Sequence, residues 1–153
     1  MLCYAPPSTR PVQEADAMTS DWREGYQAGL SPFATFLGAR KVEVDAEHAI
    51  LEIECGPQHT NPTGMVHGGV MVSLADNTAT TLANTHRMST ENDGKFMVGI
   101  DLHTTFLSNQ PGGTIRAEAR FVRAGKRVAV VRTQVTGDGG RLLAEVTTTH
   151  IPA

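Results

Sequence analysis

From Phe96 onward the chain reads as one strand after another, and this run constrains the fold more than any other feature. Phe96 to Leu107 is the first candidate strand. In the second, Ile115, Ala117, Ala119 and Phe121 alternate with Arg116, Glu118 and Arg120. Arg127 to Thr136 makes a third, and Leu142, Ala144, Val146 and Thr148 alternate in a fourth. A period of two puts the apolar side chains on one face and the charged ones on the other. The connections at 109–113, 124–126 and 137–140 are short and rich in Gly, Pro, Asn and Asp. Such turns join antiparallel neighbours, because a parallel crossover needs a dozen or more residues.

Upstream the pattern changes. Val70 to His86 spaces Val70, Leu74 and Leu82 beside Ala75, Ala79 and Ala83, which predicts the main helix, with the alanines forming a slim stripe on which another backbone can sit close. Thr78, Thr80, Thr81 and Thr85 lower its intrinsic propensity, so packing has to supply its stability. Gly38 to Asp45 and His48 to Cys55 read as two strands, and in the second Ala49, Leu51, Ile53 and Cys55 alternate with Ile50, Glu52 and Glu54. Asp16 to Ala28 suits a short helix stopped by Gly29 and Pro32, and Phe33 and Phe36 are expected to anchor the following turn in the core. The proline-rich residues before Asp16 suit a loose arm. The reading is therefore residues 1–32 as an arm with a short helix, then 33–153 as one α+β domain. In it an antiparallel sheet of five to six strands wraps one long helix, burying the Leu74/Leu82 face and leaving the arginine face wet.

Composition narrows the partners. Thirteen basic against 16 acidic residues give a net charge of −3, the wrong sign for a general nucleic-acid binder. Cys3 and Cys55 are the only cysteines and form no C-x-x-C pair, which suits a reducing cytosol. The first residues show no basic segment followed by an apolar one, and no apolar run is long enough to span a bilayer, so a soluble cytoplasmic protein without a membrane partner is expected.

Several chemistries are excluded by pattern. There is no G-x-S-x-G elbow, no phosphate-binding G-x-x-x-x-G-K-[ST], and no G-x-G-x-x-G. The histidines at 48, 59, 67, 86, 103 and 150 have no close ligand spacing, so no metal is expected. What remains lies between Asn61 and Asp76. Gly68 and Gly69 directly precede the main helix, where unpaired N–H groups and the positive end of the helix dipole are able to polarise a carbonyl. Asp76, a little over two turns further on, is a carboxylate amid apolar partners, costly there unless paired or functional. Taken singly, each has a plain structural reading as well: His67 as a helix cap, the glycines as a sharp turn, Asp76 on a solvated edge, and Asn61 before Pro62 as a turn residue.

Together they resemble the PaaI-like acyl-CoA thioesterases of the hotdog-fold superfamily. The resemblance rests on N61-P-T-G-M-V-H67-G68-G69-V-M-V-S-L-A-D76, supported by V98-G-I-D-L-H-T-T-F106-L-S-N-Q-P-G-G113 and the V-R-A-G-K126 turn. It covers roughly residues 33–150 and implies a hotdog fold assembled as a homodimer or homotetramer, with active sites between subunits. Carried over by position, Asp76 from one subunit would be the catalytic carboxylate, as nucleophile or as general base. Asn61, His67 and the Gly68 N–H would come from the other. Gly69 and Gly99 would border the substrate. Where Gly99 stands, family members often carry Ser or Thr, so a hydroxyl contact is missing.

Coenzyme A would be part of the substrate, and no separate cofactor is implied. Six of the 13 basic residues lie between Arg116 and Arg132, and the resemblance favours Arg123 and Lys126 as phosphate contacts, while Arg116, Arg120 and Arg132 equally suit a solvated sheet face balanced by Glu118. The implied activity is hydrolysis of an acyl- or aryl-acyl-CoA. A non-catalytic acyl-CoA-binding or regulatory domain, and more remotely a hotdog dehydratase, are the alternatives.

Overall fold

The computed structural model describes residues 29–153 apart from Asn92; the arm and the helix expected over Asp16–Ala28 lie outside the described residues. The elements in chain order are α1 (Pro32–Phe36), β1 (Ala39–Val44), β2 (His48–Cys55), α2 (Gly68–Thr90), β3 (Met97–Phe106), β4 (Gly113–Arg123), β5 (Ala129–Thr136) and β6 (Leu142–Pro152). All six strands form one antiparallel sheet in the order β1-β2-β4-β5-β6-β3. The sheet wraps α2, as the hotdog resemblance implies. No described helix is long and apolar enough to cross a membrane.

The core follows from the small-residue stripe. Ala75, Ala79, Leu82 and Leu74 are buried on α2, against Ala49, Leu51 and Ile53 of β2, Ala117 and Ala119 of β4 and Val131 of β5. Alanine against alanine lets the helix axis settle close to the sheet, and the larger Leu, Ile and Val side chains fill the flanks. Burial of this face stabilises the helix despite its threonines, and the buried Thr78 hydroxyl is satisfied by donating to the Leu74 carbonyl at 2.7 Å.

Four expectations are corrected. Phe33 and Phe36 do not enter the core: they are 53% and 83% exposed, and Ala34 is the residue α1 buries. The segment after β3 is not a hairpin, since β3 pairs with β6 and β4 with β2. Its chain instead crosses the mouth of the fold, with Leu107 and Ser108 N–H bonded to the Leu143 carbonyl and the Gln110 carbonyl accepting from Val66 N–H. Gly112 and Gly113, at φ 89° and 75°, make the reversal into β4. In β6 the alternation slips at its start, because a bulge between Val135 and Thr136 pairs Thr136 with Leu142 and Val135 with Ala144. Leu143 is therefore buried and Leu142 only partly so. In β2, Ile50 and Glu52 are also buried on the far face, where Arg40 and Arg116 close over Glu52 as ion pairs.

Candidate active site

The loop from Asn61 to His67 is shaped by its own side chains. Asn61 Oδ1 accepts from the Thr63 hydroxyl at 2.6 Å, Thr63 N–H at 2.9 Å and Met65 N–H at 3.2 Å. That Asx turn leaves only its amide nitrogen for any other partner. Buried His59 braces the loop from below, accepting Gly56 N–H at Nδ1 and facing the Leu37 carbonyl with Nε2, while its own carbonyl takes the His67 N–H. Asn109 donates to the Val66 carbonyl. Gln110, 2% exposed, ties the crossing segment to Gly112 and to Asp138. A Cβ on Gly137 would stand 1.9 Å from the Gln110 carboxamide oxygen, so a side chain at 137 would push Gln110 off its present partners. Sequence reading missed His59, Gln110 and Gly137; nothing in their spacing marks them, because their partners come from distant segments.

His67 is the N-cap of α2: its Nδ1 accepts the Gly69 N–H at 2.9 Å. The next donor, Gly68 N–H, has no partner among the described residues and sits at the positive end of a helix of 23 residues. A Cβ on Gly68 would lie 3.0 Å from Phe106 Cζ, so the phenyl at the end of β3 rests directly on this glycine. Both glycines are met by a ring: a Cβ on Gly69 would stand 2.9 Å from His67 Nδ1, as one on Gly68 would meet Phe106.

Asp76 lies on the same helix about 12 Å further along. It is half-buried, has no hydrogen-bond partner among the described residues, and burial pushes its carboxyl above the usual value. Its Oδ1 lies 3.9 Å from the point where a Cβ on Gly99 would stand, and the same point is 3.8 Å from Cε1 and 3.9 Å from Nδ1 of His150. The backbone there is irregular: between Gly99 and Asp101 the β3–β6 register shifts, so Ile100 is an extra residue. Asn84, fully buried, fixes β3 to the helix by accepting Met97 N–H at 2.8 Å and donating to the Met97 carbonyl at 3.1 Å.

The basic residues sort themselves by pairing. Arg116 binds Glu52, Arg120 binds Glu118 and Arg132 binds Glu145, on the outer sheet face. Arg123 and Arg127 are exposed with no ion pair among the described residues, and Lys126 meets Glu91 at 3.1 Å. Lys126 lines a cavity of about 230 Å³ with Arg87, His86 and Phe121. That cavity adjoins the far end of α2, about 16 Å beyond Asp76 along the helix axis. Within one chain, Gly68 with His67 and Asp76 with Gly99 therefore form two neighbouring groups, and Arg123 and Lys126 stand apart from both.

Among the described residues, the one trio spaced to hold a metal ion is Glu43, Asp45 and His48 at the β1–β2 turn, with ligand atoms within 4.8 Å of one another. It is a turn staple: His48 Nδ1 meets Asp45 at 2.9 Å, Nε2 meets Glu43 at 3.3 Å, and Asp45 also accepts the Glu47 and His48 N–H groups. Buried Cys55 carries a thiol pushed up to about 11 by burial and by the nearby Glu54 and Asp138 carboxylates, which removes it as a nucleophile.

Residues 63–144 match the family model described as the thioesterase superfamily. The chain belongs to that superfamily, and with it to the thioester hydrolases. It is 31% identical over 106 residues to acyl-coenzyme A thioesterase 13 of Mus musculus, spanning 68% of this chain and 72% of that one. It is 28% identical over 107 residues to 1,4-dihydroxy-2-naphthoyl-CoA hydrolase of Listeria monocytogenes, spanning 70% and 84%. A mutant of the phenylacetic acid degradation protein PaaI from Thermus thermophilus shares the fold, with TM-score 0.71, 24% identity, and coverage of 80% of this chain and 99% of that one. The superfamily match begins in the Asn61–His67 loop and takes in α2 and β3, the segments that carry Gly68, Asp76 and Gly99.

Proposed function

We propose that this thioesterase hydrolyses an acyl- or aryl-acyl-CoA to the free acid and coenzyme A, at a site that two copies of the chain build together, with Asp76 as the reacting carboxylate. The observation that carries the reading is a half-buried Asp76 beside the exposed edge strand β3, with the Gly68 N–H too far along the same helix to reach the same carbonyl, neither of them partnered among the described residues.

Strand β3 supplies the reason for two copies. It is ten residues long, stands at the sheet edge, and exposes Ile100, Leu102 and Phe106. A bare apolar edge of that length invites a further strand. Antiparallel pairing of β3 with its copy, centred between Leu102 and His103, would set Gly99 of one chain opposite Phe106 of the other. Asp76, which lies behind Gly99, would then face the Gly68 that lies behind the partner's Phe106. Such an isologous contact yields two equal sites per dimer.

In that site the thioester oxygen accepts a hydrogen bond from Gly68 N–H, and the helix dipole stabilises the negative charge that develops on it. Asp76 either attacks the carbonyl carbon or removes a proton from the attacking water. On the first route the C–S bond breaks, the thiolate leaves and is protonated from solvent, and water then hydrolyses the acyl–Asp76 anhydride to free acid and carboxylate; on the second the proton taken from the water passes to the departing thiolate as the C–S bond breaks. His67 holds the first turn of α2 in shape through Gly69, and the Asn61 amide and the His67 Nε2–H are the remaining side-chain donors of the loop. The unpaired Arg123, with Lys126 beside it, suits the phosphates of the coenzyme, which cross from the partner's surface. No separate cofactor enters this chemistry.

The test is a thiol-release screen over short, medium, long and aryl acyl-CoAs, with Asp76→Ala as control and the mass of the assembly measured for both. Release by the native chain and none by an Asp76→Ala dimer supports the reading. Full activity in Asp76→Ala overturns it, and tight acyl-CoA binding without thiol release points to a binding domain on the same scaffold.

A further inference from the structure

His150 sits on β6 directly opposite Gly99 and is completely buried. Its Nε2 lies 2.9 Å from the Thr148 hydroxyl, whereas Nδ1 has no partner among the described residues. Among the described residues only three buried side-chain polar atoms are left so, and the other two are threonine hydroxyls. An orphaned ring nitrogen is expensive to bury and calls for an explanation. The explanation stands next to it. His150 Nδ1 and Asp76 Oδ1, each unpartnered, lie 3.9 Å from one point, the Cβ that Gly99 lacks. Position 99 adopts a backbone open to any residue, since its φ is not positive, and a methyl group there would meet only ordinary contacts. Its effect would be to put carbon against both polar atoms. Glycine leaves open the space that the carboxylate and the imidazole both border.

We propose that His150 is a positioning residue for hydrolysis: its ring carries the proton on Nδ1 and donates it to the Asp76 carboxylate across Gly99, holding that carboxylate in the orientation from which it reacts. The Thr148 hydroxyl, donating to Nε2, selects this tautomer. Burial lowers the ring's affinity for a second proton, so the imidazole acts as a neutral donor and not as a competing acid. A donor to the charged carboxylate also works against the burial that disfavours its ionisation, keeping it able to attack or to accept a proton. The backbones on both sides are held, β3 to β6 by the ladder and β3 to α2 by Asn84, so side-chain rotation of Asp76 is the motion the proposal requires.

This inference rests on Asp76 being the reacting carboxylate, and the experiment separates the two. Kinetics of thiol release would be measured for Asp76→Asn, His150→Leu, His150→Asn, and His150→Leu combined with Gly99→Ser. Loss of one hydrogen bond to a charged group predicts kcat lower by about ten- to a hundredfold in His150→Leu with KM unchanged. His150→Asn keeps a donor near the Nδ1 position and is expected to recover most of the loss. Gly99→Ser, which brings a hydroxyl to the same place, is expected to recover part of it in the His150→Leu background. A dead Asp76→Asn beside a fully active His150→Leu overturns the role of His150 alone, whereas an active Asp76→Asn overturns the reading beneath it. A kcat loss in His150→Leu that neither Asn nor the added serine relieves marks a packing role and also overturns it. Nitrogen NMR of the native chain gives a measurement that needs no variant to fold: an Nδ1-protonated His150 supports the proposal, and an Nε2-protonated one refutes it.

Discussion

The two ends of α2 are built to opposite rules. At the C-terminal end polar groups are paired off: the Arg87 guanidinium, buried, binds Asp93, the Lys126 carbonyl at 3.1 Å and the Met97 sulfur at 3.7 Å, and the Asn84 amide is satisfied by Thr80 and Met97. At the N-terminal half they are left open. Gly68 N–H, Asp76 and His150 Nδ1 have no partners among the described residues, and Phe106 stands half-exposed over Gly68. One end saturates its hydrogen bonds and so fixes helix to strand. The other withholds them, and a polar group kept unpaired in a partly desolvated place is one that substrate can pair with.

The comparison breaks most sharply at Asp76. Asp76→Asn is expected to lower kcat about a thousandfold in the thiol-release assay, within the range of a lost general base. The same change is expected to raise thermal stability at neutral pH. The sign follows from burial: the folded-state carboxyl lies above the ordinary 3.8, so the native chain binds the proton more tightly than the unfolded chain. Stability from this group therefore declines as pH rises through that window, and the advantage of the Asn variant vanishes below it. Melting curves at several pH values check this.

At the saturated end the sign and the observable both change. Arg87→Met strips partners from the Lys126 carbonyl and from Asp93, and is expected to cost about 2–3 kcal/mol, or roughly 5–10 °C in Tm, with kcat per folded molecule preserved. The Arg87 hydrogen bond holds the Asp93 carboxyl below the ordinary value of 3.8. The stability it gives is present above that value and fades as pH falls through the lowered one, a loss the Met variant is expected not to show.

A smaller effect tests whether the open end works through its bare backbone. Gly68→Ala sets a methyl 3.0 Å from Phe106, whose exposed ring is free to swing aside. Stability is expected to change by less than about 1 kcal/mol and kcat to fall about tenfold, because the displaced ring crowds the N–H. The smallest change is predicted at the unpaired cation: Arg123→Ala is expected to raise KM for acyl-CoA a few-fold at constant kcat. Arg116→Ala, whose carboxylate Arg40 still holds, is expected to leave both constants unchanged.

Much of this arrangement was legible in advance. The alternation of Ile115, Ala117, Ala119 and Phe121 fixed which face of β4 looks inward, and the alanine stripe of α2 marked the side the sheet would take. His67 as a cap and Gly68–Gly69 as a helix start followed from local chemistry, which acts over three or four residues. Phe33 and Phe36 misled, since hydrophobicity alone does not say whether a short turn faces the core. The 109–113 turn misled in another way: a short connection between strands looks like a hairpin whether or not the strands pair. The bulge at Gly99–Asp101 has no signature in composition, and so His150 looked like any other strand residue.

By itself the sequence determined the order of the six strands around one wrapped main helix, and the Asn61–Asp76 block that carries the thioesterase resemblance, because each depends on periodicity or on residues close along the chain. Only the tertiary structure decided that β3 stands at the edge of the described sheet, that Phe106 lies on Gly68, and that Asp76 and His150 both border the space a side chain at position 99 would fill. Those depend on which distant backbones pack against each other, and burial, which gives unpartnered groups their chemistry, does not exist until they do.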